Sequence, residues 1–129
     1  MEKDFSNWHR KKSWIQKDKV RPFFHEQEVW FALVGSNVGF EQDGRGKDFL
    51  RPVIIVKKFN DSIGWCLPLT KKKKSGEYYF VVTHGGGVIS TAILSQLRLI
   101  DAKRLLYQSG NVMDADFEQI KKRLTRFLE

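Results

Sequence analysis

Two short apolar segments joined by a polar turn place the strongest constraint on how this chain can fold. Residues 53–56 are apolar and β-branched, which is typical of a strand buried on both faces. Residues 63–69 are again apolar, and they stop at Thr70, just before four lysines. The mostly polar residues 57–62 between the two segments favour a turn. The pattern therefore predicts two neighbouring antiparallel strands in a small sheet.

This pairing places several polar side chains at one rim of the predicted sheet. Arg51 stands at the entrance of the first strand and Thr70 at the exit of the second, so an antiparallel pair makes them neighbours. The preceding loop has glycines among charged residues, and it brings Glu41 and Gln42 toward the same rim. At such a strand mouth, beside a glycine-rich loop, we expect Arg51 to be partly exposed.

The size and composition of the chain indicate a single globular domain. Its 129 residues are 41% hydrophobic, and no apolar run approaches the roughly 18 residues that a membrane span needs. The first residues are charged, unlike those of a secretory signal. Cys66 is a single cysteine with apolar neighbours, which favours a small buried side chain over a nucleophile. One cysteine also fits a reducing compartment, so we expect a cytoplasmic protein with no membrane contact.

The excess of basic residues indicates which class of binding partner the protein has. Lys and Arg outnumber Asp and Glu by 23 to 15, and the net charge of +8 favours a polyanion, either nucleic acid or an acidic protein. Lys71, Lys72, Lys73 and Lys74 follow Thr70 directly. Such a run can simply keep a hairpin tip soluble, but its position favours attraction of a phosphate backbone toward the rim.

The elements outside the central pair follow from hydrophobic periodicity. Residues 1–22 have the pattern of a basic helical extension that ends at Arg21, before a proline. This extension is either an arm for nucleic acid or a partner, or a helix packed on the main domain, which spans residues 23–129. Strands are predicted at residues 28–34, 77–83, 88–94, 96–100 and 107–112, and a helix from residue 114 onward.

Five motifs occur in series along the chain. They are Glu28-Val29-Trp30-Phe31 with Asn37-Val38-Gly39, then Glu41-Gln42, Arg51-Pro52-Val53, Pro68-Leu69-Thr70, and the segment 92–101. In this order they resemble the MazF/PemK toxins of bacterial toxin–antitoxin pairs. The resemblance runs from residue 26 to residue 128. The loop between the second and third motifs is longer than is common in that family, and the first 25 residues lie outside the match.

The resemblance implies a mainly β fold with helices, an SH3-like small barrel of roughly five to seven strands with a C-terminal helix. The N-terminal helix predicted from periodicity is then an addition to that barrel. It implies a homodimer that binds single-stranded RNA in a groove across the dimer, and an acidic antitoxin as partner. It implies catalysis by Arg51 and Thr70, with Glu41 helping to activate the substrate. The implied RNA contacts are Asn37, Gln42, Gln96 and Arg98, together with the lysine run.

The chemistry of RNA cleavage explains why these residue types suit the reaction. The 2′-hydroxyl of RNA can attack the adjacent phosphate without a metal or other cofactor, and the enzyme then stabilises a dianionic phosphorane. The guanidinium of Arg51 matches phosphate oxygens with a planar fork of donors, and Thr70 adds a hydroxyl. A carboxylate or a histidine is the expected base, and the assignment of acid and base stays open. His84, in a flexible glycine turn, is one further proton carrier.

Other functions remain compatible with the same sequence. A barrel of this fold could bind a protein target, as gyrase-poisoning toxins do, without cutting RNA. A basic nucleic-acid-binding module without catalysis is a third possibility. Arg51 could also merely pin the glycine-rich loop through Glu41 or Asp43. Both Arg51 and Thr70 occur at the predicted strand ends, which favours the ribonuclease.

Overall fold

The computed structural model describes residues 20–34 and 50–129. Of the predicted helical extension over residues 1–22, residues 1–19 lie outside the described residues, and residues 20–22 are not helical. The loop 35–49 also lies outside them, and with it three of the predicted site residues, Asn37, Glu41 and Gln42. The described residues include the other predicted site residues, which are Arg51, Thr70, the lysine run, Gln96 and Arg98.

Within the described residues the fold consists of antiparallel strands followed by a C-terminal helix. The strands are β1 (Glu28–Leu33), β2 (Leu50–Lys58), β3 (Ile63–Thr70), β4 (Tyr79–His84), β5 (Val88–Ile93), β6 (Arg98–Asp101) and β7 (Leu105–Asn111). Two 3-10 turns, Leu94–Gln96 and Ala102–Arg104, flank β6 on either side. Helix α1 covers Asp114–Arg126.

The strands form one sheet that curls into a small barrel. Their order is β4-β5-β3-β2-β1-β7, and β6 pairs with β3 beside this path. The two outer strands meet, because His84 at the end of β4 forms a bridge with Val112 just beyond β7. Close by, the Met113 amide donates a hydrogen bond to the Thr83 carbonyl at 3.1 Å. The expected mainly β barrel is confirmed with seven strands and a C-terminal helix.

The central pair of strands is the one that the sequence predicts. Val53 of β2 lies opposite Pro68 of β3, so the antiparallel pairing is confirmed. The turn is shorter than predicted, because β2 continues through both lysines that follow its apolar core. The carbonyl oxygen of the Asn60 side chain closes the turn by accepting hydrogen bonds from the amides of Ser62 at 2.8 Å and Ile63 at 3.0 Å.

Alternation of side chains along the central strands builds two separate cores. Ile54 and Leu67 point toward α1 and pack in one core with Phe117 and Ile120 of the helix. These two helix residues belong to the apolar stripe that predicts a packing helix, and that prediction is confirmed. The core on the opposite face contains Phe24, Trp30, Val53, Ile55, Cys66 and Leu105. Because α1 covers one face of the sheet, the other face is left to carry the polar residues of the rim.

The first described segment, residues 20–27, is held to the barrel by an ion pair and a buried ring. The Arg21 guanidinium donates two hydrogen bonds to the Asp101 carboxylate, at 3.0 and 2.9 Å. Burial raises the pKa of Asp101, but the bonds from Arg21 and from the Lys103 amide outweigh it, and the net pKa lies below its ordinary value. Phe24 is buried in the core opposite α1. This segment is therefore anchored to the barrel at the end of β6.

The prediction that Gln96 lies in a strand is wrong. Gln96 ends a 3-10 turn, and β6 begins only at Arg98. The reason is that β5 and β6 pair with two parts of the same strand, β3. The chain from Ala92 to Arg98 is longer than the facing stretch from Leu69 back to Cys66, so the surplus residues leave the sheet as a turn.

The barrel closes where the backbones of Gly85 and Gly110 approach each other, and this contact predicts that Gly110 does not tolerate a larger residue. Gly110 has a φ of 143°, and an added Cβ would lie 2.6 Å from the Gly85 Cα. We expect Gly110→Ala to lower the free energy of unfolding by about 3 kcal/mol or more, the upper end for single substitutions. The reason is that the backbone atoms of Gly85 cannot move aside as a flexible side chain would.

Gly86→Ala is the matched control for this prediction. Gly86 also has a positive φ, 80°, but nothing lies within 4 Å of an added Cβ. Its substitution should cost only the backbone strain of about 1–2 kcal/mol. Urea unfolding of both variants measures the difference. Equal losses would show that the close approach of the two backbones does not limit closure.

Candidate functional site

Arg51 and Thr70 lie on adjacent strands, at the same end of the central strand pair. The paired residues of β2 and β3 end with Val53 opposite Pro68, and the same register extended by two residues would bring Arg51 opposite Thr70. Side chains two residues apart in a strand share a face, so Arg51 points to the same face as Val53, and Thr70 to the same face as Pro68. The sequence predicts Arg51 and Thr70 as neighbours, and that stays a prediction.

This pair belongs to a longer row that crosses the sheet. On one side, Arg51 lies opposite Ala32 of β1. On the other side, Thr70 lies opposite Thr91 of β5, and Thr91 lies opposite Val81 of β4. Cross-strand partners share a face, so all five side chains point away from the face that α1 covers. We call them the central row.

The expectation that Arg51 is partly exposed is wrong. Its residue exposure is 3%, and that of Thr70 is 4%. The reason is that β2 begins at Leu50, so Arg51 lies within the strand rather than at its mouth. It is flanked by β1 and β3, which shield it on both sides. Arg51 is therefore part of the packed structure as well as of the predicted site.

A cleft of about 460 Å³ opens beside Arg51, and we call it the Arg51 cleft. It brings Arg51 together with Gln96 and Arg98, which the sequence places 45 or more positions away. The remaining lining residues are Val34, Val53, Cys66, Pro68, Ser95, Leu97 and Leu99. An apolar wall with two guanidinium groups and an amide suits a ligand that has both an anionic and a flat apolar part.

Cys66 borders this cleft but is not a nucleophile. It is fully buried, and burial raises the pKa of its thiol to about 12, although the charges of Arg98 and Arg104 act in the opposite direction. The thiolate is the reactive form of cysteine, so almost none is present at neutral pH. The prediction of a small buried hydrophobic residue is confirmed.

A second recess, of about 500 Å³, lies on the other side of Thr70, and we call it the lysine groove. Its lining residues are Lys71, Lys73, Lys74, Ser75, Val81, Ile89, Ser90 and Thr91. The turn that carries the lysines starts against Thr70, whose hydroxyl accepts a hydrogen bond from the Lys72 amide at 3.3 Å. Three of the four predicted lysine contacts thus share one groove, and Lys72 is not among its lining residues.

The sequence analysis does not identify two residues with hydroxyl groups that line this groove, Ser90 and Thr91. They stand together in the otherwise apolar strand β5, and both are buried. A pair of hydroxyls within an apolar strand is the signal that could have identified them. Their proximity to Thr70 could not be read from the sequence, because it depends on the pairing of β5 with β3.

His84 does not lie in a flexible glycine turn, as predicted, because it is the last residue of β4. It is 7% exposed, since the bridge to Val112 closes the barrel over it. Its Nε2 lies 2.9 Å from the Ser90 hydroxyl oxygen, and its Nδ1 has no hydrogen-bond partner among the described residues. Burial lowers the pKa of His84, so its ring is neutral near pH 7.

An apolar recess of about 690 Å³ lies at the C-terminal end of α1, and we call it the α1 groove. Phe59 and Trp65 meet edge to face beside it with ring centroids 4.9 Å apart, and both are exposed. Across the groove, Tyr78 lies 5.2 Å from Phe127 between ring centroids. These four rings together form an exposed aromatic surface around the groove.

Two further properties concern the described part of the chain as a whole. Residues 20–34 and 50–129 contain no group of three or more His, Cys, Asp or Glu side chains placed to hold a metal ion. In the same residues, no helix has the length and apolar character needed to cross a membrane.

The chain is similar to known toxins in sequence and in fold. A family model described as PemK-like, MazF-like toxin of type II toxin–antitoxin system matches residues 25–128. The fold is similar to that of an endoribonuclease in complex with its cognate antitoxin from Mycobacterial species, with a TM-score of 0.60 and 14% identity over 83% of this chain and 94% of that chain. Mycobacterium tuberculosis toxin MazF-mt6 gives a TM-score of 0.59 and 14% identity over 78% and 95% of the two chains. No curated protein sequence matches significantly.

The buried histidine predicts a loss of stability in mild acid. Since burial lowers the folded-state pKa of His84, the unfolded chain binds a proton at a higher pH than the folded chain does. Stability from this group is therefore complete above the unfolded pKa of about 6.5, and it declines as pH falls toward the folded pKa. We expect the melting temperature to drop between about pH 7.5 and pH 5, and His84→Gln to reduce that drop. Parallel curves for the two proteins would contradict this assignment.

Proposed function

This chain belongs to the PemK-like, MazF-like toxin family of type II toxin–antitoxin systems, and on that basis we propose that it is an endoribonuclease that cuts single-stranded RNA. The family model covers residues 25–128, nearly the whole described barrel. The observation that supports the proposal is that Arg51 and Thr70 lie at the same end of the adjacent strands β2 and β3, with Arg51 and Arg98 lining one cleft. A cation and a hydroxyl on one face suit the transfer of a phosphoryl group.

We propose that cleavage proceeds by internal attack within the RNA. The 2′-oxygen forms a bond to phosphorus, the bond from phosphorus to the 5′-oxygen breaks, and a cyclic phosphate and a free 5′-hydroxyl result. One proton leaves the attacking hydroxyl and another reaches the departing oxygen. Negative charge grows on the phosphoryl oxygens in between, and that charge is what the enzyme must stabilise.

Arg51 is proposed to stabilise this charge. A guanidinium stays protonated at any physiological pH and offers two parallel donors to phosphate oxygens. Its burial in the central row places it in a low-dielectric environment, where a fixed charge acts more strongly than it does in water. Thr70 contributes a hydroxyl from the neighbouring strand. Glu41, which precedes β2 in the sequence, is proposed to help activate the substrate.

The residues that line the Arg51 cleft are proposed to hold the RNA. Arg98 and Gln96 line the cleft together with Arg51, and they offer charged and amide donors to phosphates or base edges. The apolar lining between them suits the face of a base. Asn37 and Gln42 are proposed as further RNA contacts from the loop 35–49.

An acidic antitoxin is the proposed protein partner, in the cytoplasm where its RNA targets occur. The family consists of toxins of toxin–antitoxin systems, and one similar structure is described as an endoribonuclease in complex with its cognate antitoxin. A net charge of +8 makes the surface attractive to an acidic segment. The same charge would draw RNA, so antitoxin and substrate would compete.

We also propose that the protein is a homodimer through the α1 groove. Phe59, Trp65, Tyr78 and Phe127 expose aromatic surface around one recess, and an exposed apolar patch of this kind is typical of an interface. A dimer would bury these rings without altering the central row, which lies on the opposite face of the sheet.

The catalytic proposal is tested by substitutions at Arg51 and Thr70. Arg51→Lys should lower the cleavage rate by roughly a hundred- to a thousand-fold, because a point charge cannot reproduce the planar fork. Thr70→Val should reduce the rate by a smaller factor, since it removes one neutral hydroxyl, whereas Thr70→Ser should stay close to wild type. The assay maps cut ends in a mixed RNA in the presence of chelator.

Burial of Arg51 makes a folding control necessary. Arg51→Ala should abolish cleavage but should also lower the melting temperature, so rates are compared only for variants that remain folded by circular dichroism. Wild-type cleavage by folded Arg51→Lys would move the catalytic role to another residue. If the wild-type chain cuts no RNA at all, the family fold serves binding only, and the ribonuclease proposal is wrong.

The dimer proposal is tested by sedimentation at micromolar concentration. Trp65→Glu places a charge in the exposed aromatic surface, and it should convert the dimer to a folded monomer. Met113→Glu is the matched control, because Met113 is also exposed but lies at the other end of α1. A wild-type chain that sediments as a monomer, or a dimer that survives Trp65→Glu, would rule out this interface.

A further inference from the structure

Strand β6 has one edge that no other strand covers within the described ranges 20–34 and 50–129. In these ranges it pairs with β3 alone. The Ala102 amide, just after β6, donates a hydrogen bond to the Ser62 carbonyl at 2.8 Å, so the main chain of Ala102 is turned toward β3. Main-chain groups alternate in direction along an antiparallel ladder, and Leu99 lies three residues before Ala102. The N–H and C=O groups of Leu99 therefore face away from β3, and we call this side of the strand the β6 edge.

The side chain in the middle of the β6 edge is apolar and exposed. Leu99 is 54% exposed, although it lies in a strand of the barrel. Proteins commonly protect an open strand edge with charged side chains, with prolines or with a covering segment. Leu99 provides neither a charge nor a proline. Its exposure therefore favours a covering segment that brings both main-chain groups and apolar contacts.

The first described segment, residues 20–27, crosses the barrel toward this edge. Followed from its C-terminal end, it first passes β2, where the Glu26 carboxylate accepts a hydrogen bond from the Lys58 amide at 2.9 Å. It then passes β3, where the buried Phe24 ring lies 3.2 Å from the position that a Cβ on Gly64 would take. The segment therefore crosses two neighbouring strands one after the other.

The same segment reaches β6 at its N-terminal end. The Arg21 guanidinium donates two hydrogen bonds to the carboxylate of Asp101, the last residue of β6. Within the described residues no further strand follows β6 in this direction, and Val20 is 85% exposed. The described segment therefore ends beside the β6 edge.

The sequence before Val20 has the length and the residue types for a covering strand. Nineteen residues precede Val20. Strand residues rise by about 3.3 Å each, so roughly four or five residues span the length of β6. Trp14 and Ile15, an aromatic and a β-branched residue, favour strands. Residues 20–22 are not helical, since the proline at position 22 disfavours a helix just before it, and the chain meets β6 in an extended form.

We propose that residues 14–19 add a strand to the β6 edge of the same molecule, paired with the main chain of Leu99. This inference does not depend on the proposed RNA cleavage. Leu99 and Arg98 also line the Arg51 cleft, so the added strand lies at the rim of that cleft. The N-terminal extension is then a wall of the cleft rather than a separate arm.

A second copy of the chain or a partner protein is the competing occupant, and two observations favour the same chain. The ion pair between Arg21 and Asp101 holds residues 20–27 at this edge, so the residues before them have a local concentration of roughly millimolar. The exposed aromatic surface that suits a second copy lies at the α1 groove, and Leu99 is not among its described lining residues.

The test measures hydrogen exchange of the Leu99 amide by NMR in the full chain. Without a partner strand this amide faces solvent and exchanges rapidly. We expect it to exchange roughly a hundredfold more slowly than an unpaired amide, because a paired amide exchanges only through local opening. The Ala102 amide, which bonds to Ser62, is the internal control and should be protected in every variant.

Two pairs of proline substitutions locate the occupant. In a strand, alternate residues turn their N–H groups toward the neighbouring strand, and proline has no N–H group. The matched pairs are Gln16→Pro with Asp18→Pro, and Lys17→Pro with Lys19→Pro. One pair should abolish protection of the Leu99 amide, and the other should leave it nearly unchanged. All four positions lie before the segment that packs on the barrel, so the barrel should stay folded, and circular dichroism melting checks this.

A variant in β6 tests the same contact from the other side. Leu99→Pro removes the N–H group that faces the occupant and keeps the pairing with β3, since an edge strand tolerates a proline whose missing N–H would face outward. Trypsin should then cut after Lys17 and Lys19 roughly tenfold faster, because cleavage follows the open population. Leu99→Thr keeps the N–H group and suits a strand, so this matched control should be cut as slowly as the wild-type chain.

Several results would overturn the added strand. A rapidly exchanging Leu99 amide in the wild-type chain would show that the edge is open, and wild-type trypsin resistance in folded Leu99→Pro would contradict pairing at this residue. Protection that survives both proline pairs would assign the cover to another part of the chain, and loss with both pairs would show docking without strand pairing. Protection that falls on about tenfold dilution would indicate a second copy. None of these readouts requires RNA cleavage, so failure of the ribonuclease proposal gives a different result.

Discussion

The register between β2 and β3 is the constraint on which the rest of the structure depends. Side chains alternate between the faces of a sheet, so a slip of one residue would reverse the face of every side chain in a strand. Ile54 and Leu67 would then leave the core beneath α1, and Arg51 would point into it. Burial of the apolar residues thus holds the register, and the same register puts Arg51 and Thr70 on the face of the sheet away from α1.

Curling of the sheet gives its two faces different roles. One face packs against α1 through Phe117 and Ile120, and it contributes most to the larger core. The other face carries the central row, with a basic recess on either side of Thr70. Closure between Gly85 and Gly110 joins the outer strands and so holds β4 and β5, which contribute lining residues to the lysine groove.

The two recesses differ in the kind of cation that they present. The Arg51 cleft offers guanidinium groups, whose planar donors match a phosphate in a defined geometry. The lysine groove offers ammonium groups, which attract a phosphate from many directions. Precise geometry is needed where bonds change, and general attraction is enough where a strand is only held. This division fits the proposed role of Arg51 in catalysis.

The sequence by itself determined the central strand pair, the helix α1 and the membership of a toxin family. These depend on local periodicity and on short motifs in order, which can be read along the chain. Only the tertiary structure decided that Arg51 is buried, that Gln96 lies in a turn and that His84 closes a barrel. It also brought Ser90 and Thr91 to the site. The physical reason is that burial and proximity depend on which strands pair, and strand pairing is set by long-range packing of the whole sheet.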